Sequence, residues 1–483
     1  MVFNSLVFAC FFAVTFLIYW FVLNRNLKLQ NAFILLASYF FYGWTDWRLL
    51  SYLIGVSALN FFLGIYIHKT TDTTRRKILL NIGLIQGIGG LAFFKYYNFF
   101  VSSVNESLLA INVHANLSTI QLIVPLGISF FTFRTMSYLL DVDKEKIQPT
   151  KDWIVFFNYV SFFPSLLSGP IDKAKMFIPQ LEKKREFNHN QAVDGLRQIL
   201  WGLFKKVVIA DSCASVTTQI FDTYQTLPAS TLLLGAFLYT IQIYTDFSGY
   251  SDMALGFARL IGFNITKNFD FPFFAQNISE FWRKWHISLT SWLTEYVFTP
   301  LSITFRDYDK LGLVAAIIIN FTIIGIWHGP NWTYVLFGFL HGCYYIPLII
   351  KGNFNKKQKI AKGKHLPTFK EFSNVAFTFL LVMLTFILFR SASIHQAFDY
   401  YTYLFSRSVF AIPYFPGIGL EIGLFVIIPL FMLIEWVGRE NEYGIAQFGF
   451  KWPRALRWLF YLCLIITVIC FSKEEQQFIY FQF

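Results

Sequence analysis

At 483 residues the chain has the length of several soluble domains, yet only 14% of it is charged while 20% is aromatic, with 60 Phe, 25 Tyr and 13 Trp. Soluble proteins average about 25% charged residues, and no globule of this size can hide so many rings while covering its surface with so little charge. Disordered, collagen-like and disulfide-scaffold classes are excluded too, the mean hydropathy of +0.50 agrees, and a polytopic membrane protein remains. The net charge of +12 would suggest nucleic acid in a soluble domain, but no nucleic-acid-binding signature accompanies it. In a membrane protein surplus base marks cytoplasmic loops. The five cysteines, Cys10, Cys213, Cys343, Cys463 and Cys470, form no framework of spacings and read as packing residues.

A bilayer crossing takes about 20 apolar residues. In chain order, predominantly apolar segments fall at residues 1–23, 29–44, 49–67, 78–94, 117–140, 153–168, 231–245, 372–389, 419–436 and 458–471. The run 311–350 lacks Asp, Glu, Lys and Arg altogether and is long enough for two more spans, broken near Gly329 and Pro330. An all-α polytopic membrane protein with about eleven to thirteen membrane segments is expected. The first segment has neither a basic leader nor a small-x-small cleavage site, so it reads as a retained helix. Arg25 and Lys28 follow the first span, Lys69, Arg75, Arg76 and Lys77 the third, and seven lysines crowd residues 351–370. These loops are expected in the cytoplasm, which puts the amino terminus outside and makes the neutral 96–118 loop external. No fixed-period repeat is visible. The expectation is one membrane domain over residues 1–483. It comprises N-terminal helices 1–140, a catalytic core 141–350, a Lys-rich cytoplasmic loop 351–370 serving as a flexible linker, and C-terminal helices 371–483.

Polar residues inside apolar segments are costly and are the default place to look for function. The first such cluster runs from Gln242 to Met253, where helical continuation stacks Gln242 on Asp246, Asp246 on Tyr250, and Ser248 on Asp252. Carboxylates there serve as proton carriers, ion ligands or helix-to-helix glue, so a supporting role is assigned. The second runs from Ser279 to Trp292. Ser279 is the expected N-cap, and helical spacing gathers Trp282, Trp285, His286, Leu289 and Trp292 near one face, with Glu280, Arg283 and Lys284 toward others. An interfacial amphipathic helix explains that stripe equally well, while His286 on the apolar face is a candidate for a pocket. The third cluster is Trp327-His328-Gly329-Pro330-Asn331-Trp332. A histidine beside helix-breaking residues at membrane depth belongs on irregular backbone lining a cavity, and its near-neutral pKa suits proton transfer. The alternative is a histidine that only bonds a neighbouring helix. No phosphate-binding loop, CxxC pair or HExxH helix is present, and nothing proposes a metal.

Together these clusters resemble the membrane-bound O-acyltransferase (MBOAT) family, in the branch of the membrane subunit of bacterial alginate O-acetyltransferase. The resemblance is carried by Ser38 to Trp44, Lys95 to Phe99, Pro125 to Phe133, Phe162-Phe163-Pro164, Ser168 to Ile171, Tyr244 to Met253, Glu280 to Trp292, Trp327-His328-Gly329 and Phe389 to Ala392, in that order along most of the chain. It implies a ring of transmembrane and re-entrant helices around a central histidine, with His328 catalytic and His286 also implicated. Trp327, Asn331, Asp246, Tyr250 and Arg283 become supporting or substrate-lining candidates. Arg134 and Pro330 depart from the family pattern.

Acyl transfer to an alcohol needs a base for the hydroxyl proton and a donor to the oxyanion. The resemblance implies His328 as base, with His286, Asn331 or a backbone amide assisting. No bound cofactor is expected. The donor substrate is acetyl-CoA or another acyl thioester from the cytosol, its phosphates met by Lys205, Lys206, Arg283 or Lys284 if those face that side. A periplasmic or extracellular acetyltransferase partner protein and a polysaccharide acceptor are implied, at the cytoplasmic (inner) membrane. A proton-coupled transporter and a non-catalytic scaffold of a polysaccharide export complex are the competing readings.

Overall fold

The structure, a computed structural model, describes residues 1–115, 117–356, 359–415, 422–472 and 478–479. Its described residues are helical and hold no strand. Among the described residues, six helices are long and apolar enough to cross a membrane: Arg48–Lys69, Thr73–Ala110, Arg306–His328, Trp332–Ile350, Phe369–Arg390 and Arg454–Phe471. Leu6–Val22 and Gly423–Gly438 are shorter apolar helices. The protein is an all-α, multi-pass membrane protein, and the chain forms two compact units, residues 1–196 with 254–266 and residues 197–253 with 267–483.

The first unit opens with α1 (Leu6–Leu17), α2 (Leu27–Gly43), α3 (Arg48–Lys69) and α4 (Thr73–Leu91), and a π-helical turn joins α4 to α5 (Tyr97–Ala110). Ser5, Asn26 and Asp72 cap α1, α2 and α4 by accepting from backbone amides with their side chains. Then come α6 (Ile128–Asp143), α7 (Trp153–Ser161), α8 (Phe163–Leu166), α9 (Ala174–Glu182) and the start of α10 (His189–Leu203). Two expected spans are corrected. Residues 117–127 are not helical, because Pro125 and a left-handed Gly127 (φ 72°) delay α6 to Ile128. The 153–168 segment is split at Phe162 into α7 and the four-residue α8. Arg134, one of the two departures from the family pattern, is buried among backbone carbonyls. It donates to the oxygens of Ser165 and Pro170 (both 2.9 Å), Val160 (3.3 Å) and Tyr159 (3.4 Å), so it ties the irregular 160–170 backbone to α6. A guanidinium suits this task because its five N–H groups have fixed directions.

The second unit takes the end of α10, a π-helical turn at Phe204–Ala210, α11 (Asp211–Asp222) and most of α12 (Ala229–Leu260). Next come α13 (Ile278–Lys284), α14 (Ile287–Leu293), α15 (Thr299–Thr304), α16 (Asp309–His328), α17 (Trp332–Cys343) and α18 (Ile346–Ile350). It closes with α19 (Phe369–Arg390), α20 (Ile394–Leu404), α21 (Ile422–Gly438) and α22 (Arg454–Phe471). As expected, the helix containing Gln242 continues through Met253. The expected helix from Ser279 to Trp292 is not continuous: the cap is Asn277, whose side chain accepts from the Glu280 amide, and the chain breaks at Trp285 and His286. α16 and α17 pack backbone to backbone, since a Cβ on Gly325 would collide with the Tyr334 carbonyl and one on Gly338 with the Phe321 carbonyl. In lipid, where association gains little from the hydrophobic effect, such small residues permit the van der Waals contact that joins helices. The Lys-rich loop is bonded to its surroundings through described residues at both ends. Ser279 Oγ donates to Phe354 O (2.5 Å), Arg283 to Lys356 O (3.0 Å), Arg439 to Lys364 O (2.8 Å) and Trp436 Nε1 to His365 O (2.9 Å).

Candidate active site

His328 is the last residue of α16 and is buried. The helix ends there because Gly329 is fully extended (φ −179°, ψ 168°), and Asn331 then caps α17 by accepting from the Thr333 amide (2.9 Å). Asn331 Nδ2 donates to Ala392 O (2.8 Å), so both ends of its amide hold the turn. The His328 imidazole lies edge to face with Phe389 (4.9 Å between centroids), Trp327 (5.0 Å) and Phe337 (6.1 Å). This aromatic enclosure limits solvation of the imidazole.

His286 sits at the break between α13 and α14 in the left-handed region (φ 45°, ψ 53°), a conformation that costs a non-glycine residue energy and marks an over-determined position. Asn268 supplies the determination. Its carbonyl accepts from the Ile287 amide (2.9 Å) and its side-chain oxygen from the Ser288 amide (3.2 Å). Fully buried, the His286 ring packs against Phe247 (4.7 Å) and Trp327 (5.5 Å). Trp327 therefore lies between the two imidazoles, and the three residues, drawn from two separate sequence clusters, form one continuous group of rings.

The remaining candidates separate. Asp246, on α12, and Asn331 line a polar cavity of about 390 Å³ with Lys206, Tyr334, Phe389 and Arg390, so one lining residue is the phenylalanine whose ring packs on His328. Tyr250 is buried and stacks on Phe478 (4.7 Å). Arg283 lines a different cavity of about 520 Å³, with Lys284, Lys359, Arg439 and the carboxylates of Asp270 and Glu280. Lys205 and Lys206, expected among the phosphate contacts, are corrected. Both are buried on the π-helical turn, Lys205 pairing with Asp252 (2.5 Å) and Lys206 with Asp211 and Asp246 (both 2.8 Å). Just before that turn the end of α10 meets α12, where Gly202 and Gly249 face each other's carbonyls too closely for a Cβ on either.

Two buried polar residues escaped the sequence reading. His341, in the last turn of α17, accepts from Trp282 Nε1 at Nδ1 (3.1 Å) and lies 3.1 Å from Thr385 Oγ1 through Nε2. Glu435, inside an apolar run of α21, accepts from Tyr244 Oη (2.6 Å) and Trp201 Nε1 (3.2 Å). A polar residue within an apolar segment, the criterion that found His328, applies to both.

A multi-pass helical protein with a buried imidazole at a helix break, packed against a residue that lines a polar cavity, has the parts of an intramembrane enzyme. The family model of membrane-bound O-acyltransferases matches residues 8–352. The chain is 31% identical to a protein named probable alginate O-acetylase from Pseudomonas putida, with 100% of both chains covered. It is 32% identical to the protein of the same name from Pseudomonas aeruginosa over 92% of this chain and 82% of that one. It is also 32% identical to a peptidoglycan O-acetyltransferase from Helicobacter pylori over 77% of this chain and 73% of the relative. The chain belongs to the membrane-bound O-acyltransferase family and is an acyltransferase enzyme, which sets aside the transporter and scaffold readings.

Proposed function

We propose that this acyltransferase moves an acetyl group from a cytosolic thioester, acetyl-CoA, to a hydroxyl presented on the outer side of the cytoplasmic membrane, for O-acetylation of an extracellular or periplasmic polysaccharide. The carrying observation is the buried His328 imidazole beside a polar cavity that its neighbour Phe389 lines. In this reading residues 141–350 are the catalytic core. His328 removes the acceptor hydroxyl's proton as the oxygen attacks the thioester carbonyl, and returns it to the departing thiolate as the tetrahedral intermediate collapses. The net reaction exchanges a thioester for an oxygen ester. His286, with Trp327 between, shapes the other flank of the pocket, and Asn331 holds the turn. The cavity with Arg283, Lys284, Lys359 and Arg439 receives the phosphate-bearing end of the donor, since charge-assisted bonds to phosphate are strong and guanidinium geometry suits them. The cavity containing Asp246 and Asn331 receives the hydroxyl, presented by the sugar or by a periplasmic acetyltransferase partner. Support for acetyl transfer comes from the alginate and peptidoglycan relatives, whose names specify O-acetylation.

The test is the ester-linked acetyl content of the extracellular polymer in cells producing wild type, His328→Ala or His286→Ala at equal membrane abundance. His328→Ala should abolish acetylation, and His286→Ala should leave a reduced level. Normal acetylation by a correctly inserted His328→Ala protein would overturn the assignment.

A further inference from the structure

His341 is fully buried, and its two ring nitrogens have different partners that fix their chemistry. An indole N–H only donates, so Nδ1, facing Trp282 Nε1, carries no proton. In a neutral ring the proton is then on Nε2 and is donated to Thr385 Oγ1, whose own proton is directed to the carbonyls of Leu381 (2.9 Å) and Val382 (3.0 Å). The order of donors is closed: indole to imidazole to hydroxyl to backbone. Because neither nitrogen can take a substrate proton without losing a partner, His341 is not a second base.

Its position suggests another role. Trp282, on α13, lies four residues before His286. Thr385, on α19, lies one turn before Phe389, whose ring packs on His328 at 4.9 Å. Phe337, one turn before His341 on α17, contacts the His341 ring at 4.5 Å and the His328 ring at 6.1 Å. One imidazole thus joins α17 and α19 beside the Phe337 and Phe389 rings that pack on His328, and ties both to α13 just before the His286 turn.

We propose that His341 is a positioning residue of the transfer site: held as the Nε2–H tautomer, it links Trp282 to Thr385 and so fixes the His286 turn and the Phe389 ring about His328. The proposal rests on the reading of His328 as the base. Loss of the link loosens the pocket by a fraction of an ångström, and displacements of about 1 Å in a positioned site cost about 100-fold in rate.

The experiment measures initial rates of acetyl transfer from radiolabelled acetyl-CoA in membrane vesicles as donor concentration is varied. Thr385→Val, which keeps side-chain volume, and His341→Phe should each lower kcat, the latter by up to about 100-fold, with donor KM within about twofold of wild type. The double variant should be no slower than His341→Phe alone, because both changes break one linkage. His341→Asn, whose amide can still accept near the Nδ1 position, should recover part of the rate. Wild-type kcat in both Thr385→Val and His341→Phe overturns the proposal, as does a raised donor KM with kcat intact. His328→Ala, run alongside, separates the two failures: activity there refutes the base, whereas silence there with unimpaired His341 variants refutes only the positioning role.

Discussion

Lys206 sits between two carboxylates, Asp211 and Asp246, and Asp246 also accepts from the Ile479 amide (2.8 Å). Next to it Lys205 pairs with Asp252, to which Gln198 donates as well (2.8 Å). Removing one member of a buried pair leaves an uncompensated charge and costs about 3–5 kcal/mol, whereas removing both is far less damaging. Lys206→Met should therefore lower the thermal midpoint of the detergent-purified protein sharply, and adding Asp246→Asn should recover much of the loss. A Lys206→Met protein as stable as wild type would mean these ion pairs contribute little to folding. Asp246 was visible in the sequence as a polar residue in an apolar helix. Its pairing was not, because Lys206 lies forty residues earlier and nothing local distinguishes a buried lysine from an interfacial one. Glu435 and His341 had the same local signal and went unread, their partners lying on other helices.

At the scale of elements, continuous periodicity was legible and interruption was not. The helix through Asp246 and Tyr250 follows from its own spacing, and the break at Gly329 from residues that end helices by themselves. The break at His286 has no such residue. It exists because Asn268, eighteen positions earlier, offers acceptors to the amides of Ile287 and Ser288 and so replaces helical bonds that the segment would otherwise make. Local spacing therefore grouped Trp282, Trp285 and His286 on one helical face, while the fold turns the chain between them. Asn268→Ala would leave the buried Ser288 amide without this acceptor, at about 1–3 kcal/mol, and release His286 from its left-handed conformation. The expected result is a lower thermal midpoint together with reduced acetyl transfer. Asn268→Asp, which keeps an acceptor oxygen, should lose less of both. Equal behaviour of the two variants would show that the side-chain oxygen does not hold this turn.

At the scale of the whole molecule, apolar surface and charge define different directions. The Thr73–Ala110 and Arg454–Phe471 helices bury only 11% and 6% of their most apolar windows within the protein, so lipid must cover the rest. Lysines concentrate instead at residues 351–370, the loop bonded to Arg283 and Arg439, both of which line the larger cavity. Because positive loops are retained in the cytoplasm, that cavity opens inward in the proposed topology, and the turn at Asn112 lies outside. A cysteine-scanning experiment decides the orientation. With Cys10, Cys343, Cys463 and Cys470 replaced and the buried Cys213 retained, a cysteine at Lys362 should react with a membrane-impermeant maleimide only in inside-out vesicles. A cysteine at Asn112 should react in intact cells once the outer barrier is opened. The opposite pattern would put the Arg283 cavity on the outer face, where no cytosolic thioester reaches it, and the direction of transfer proposed for His328 would have to be reversed.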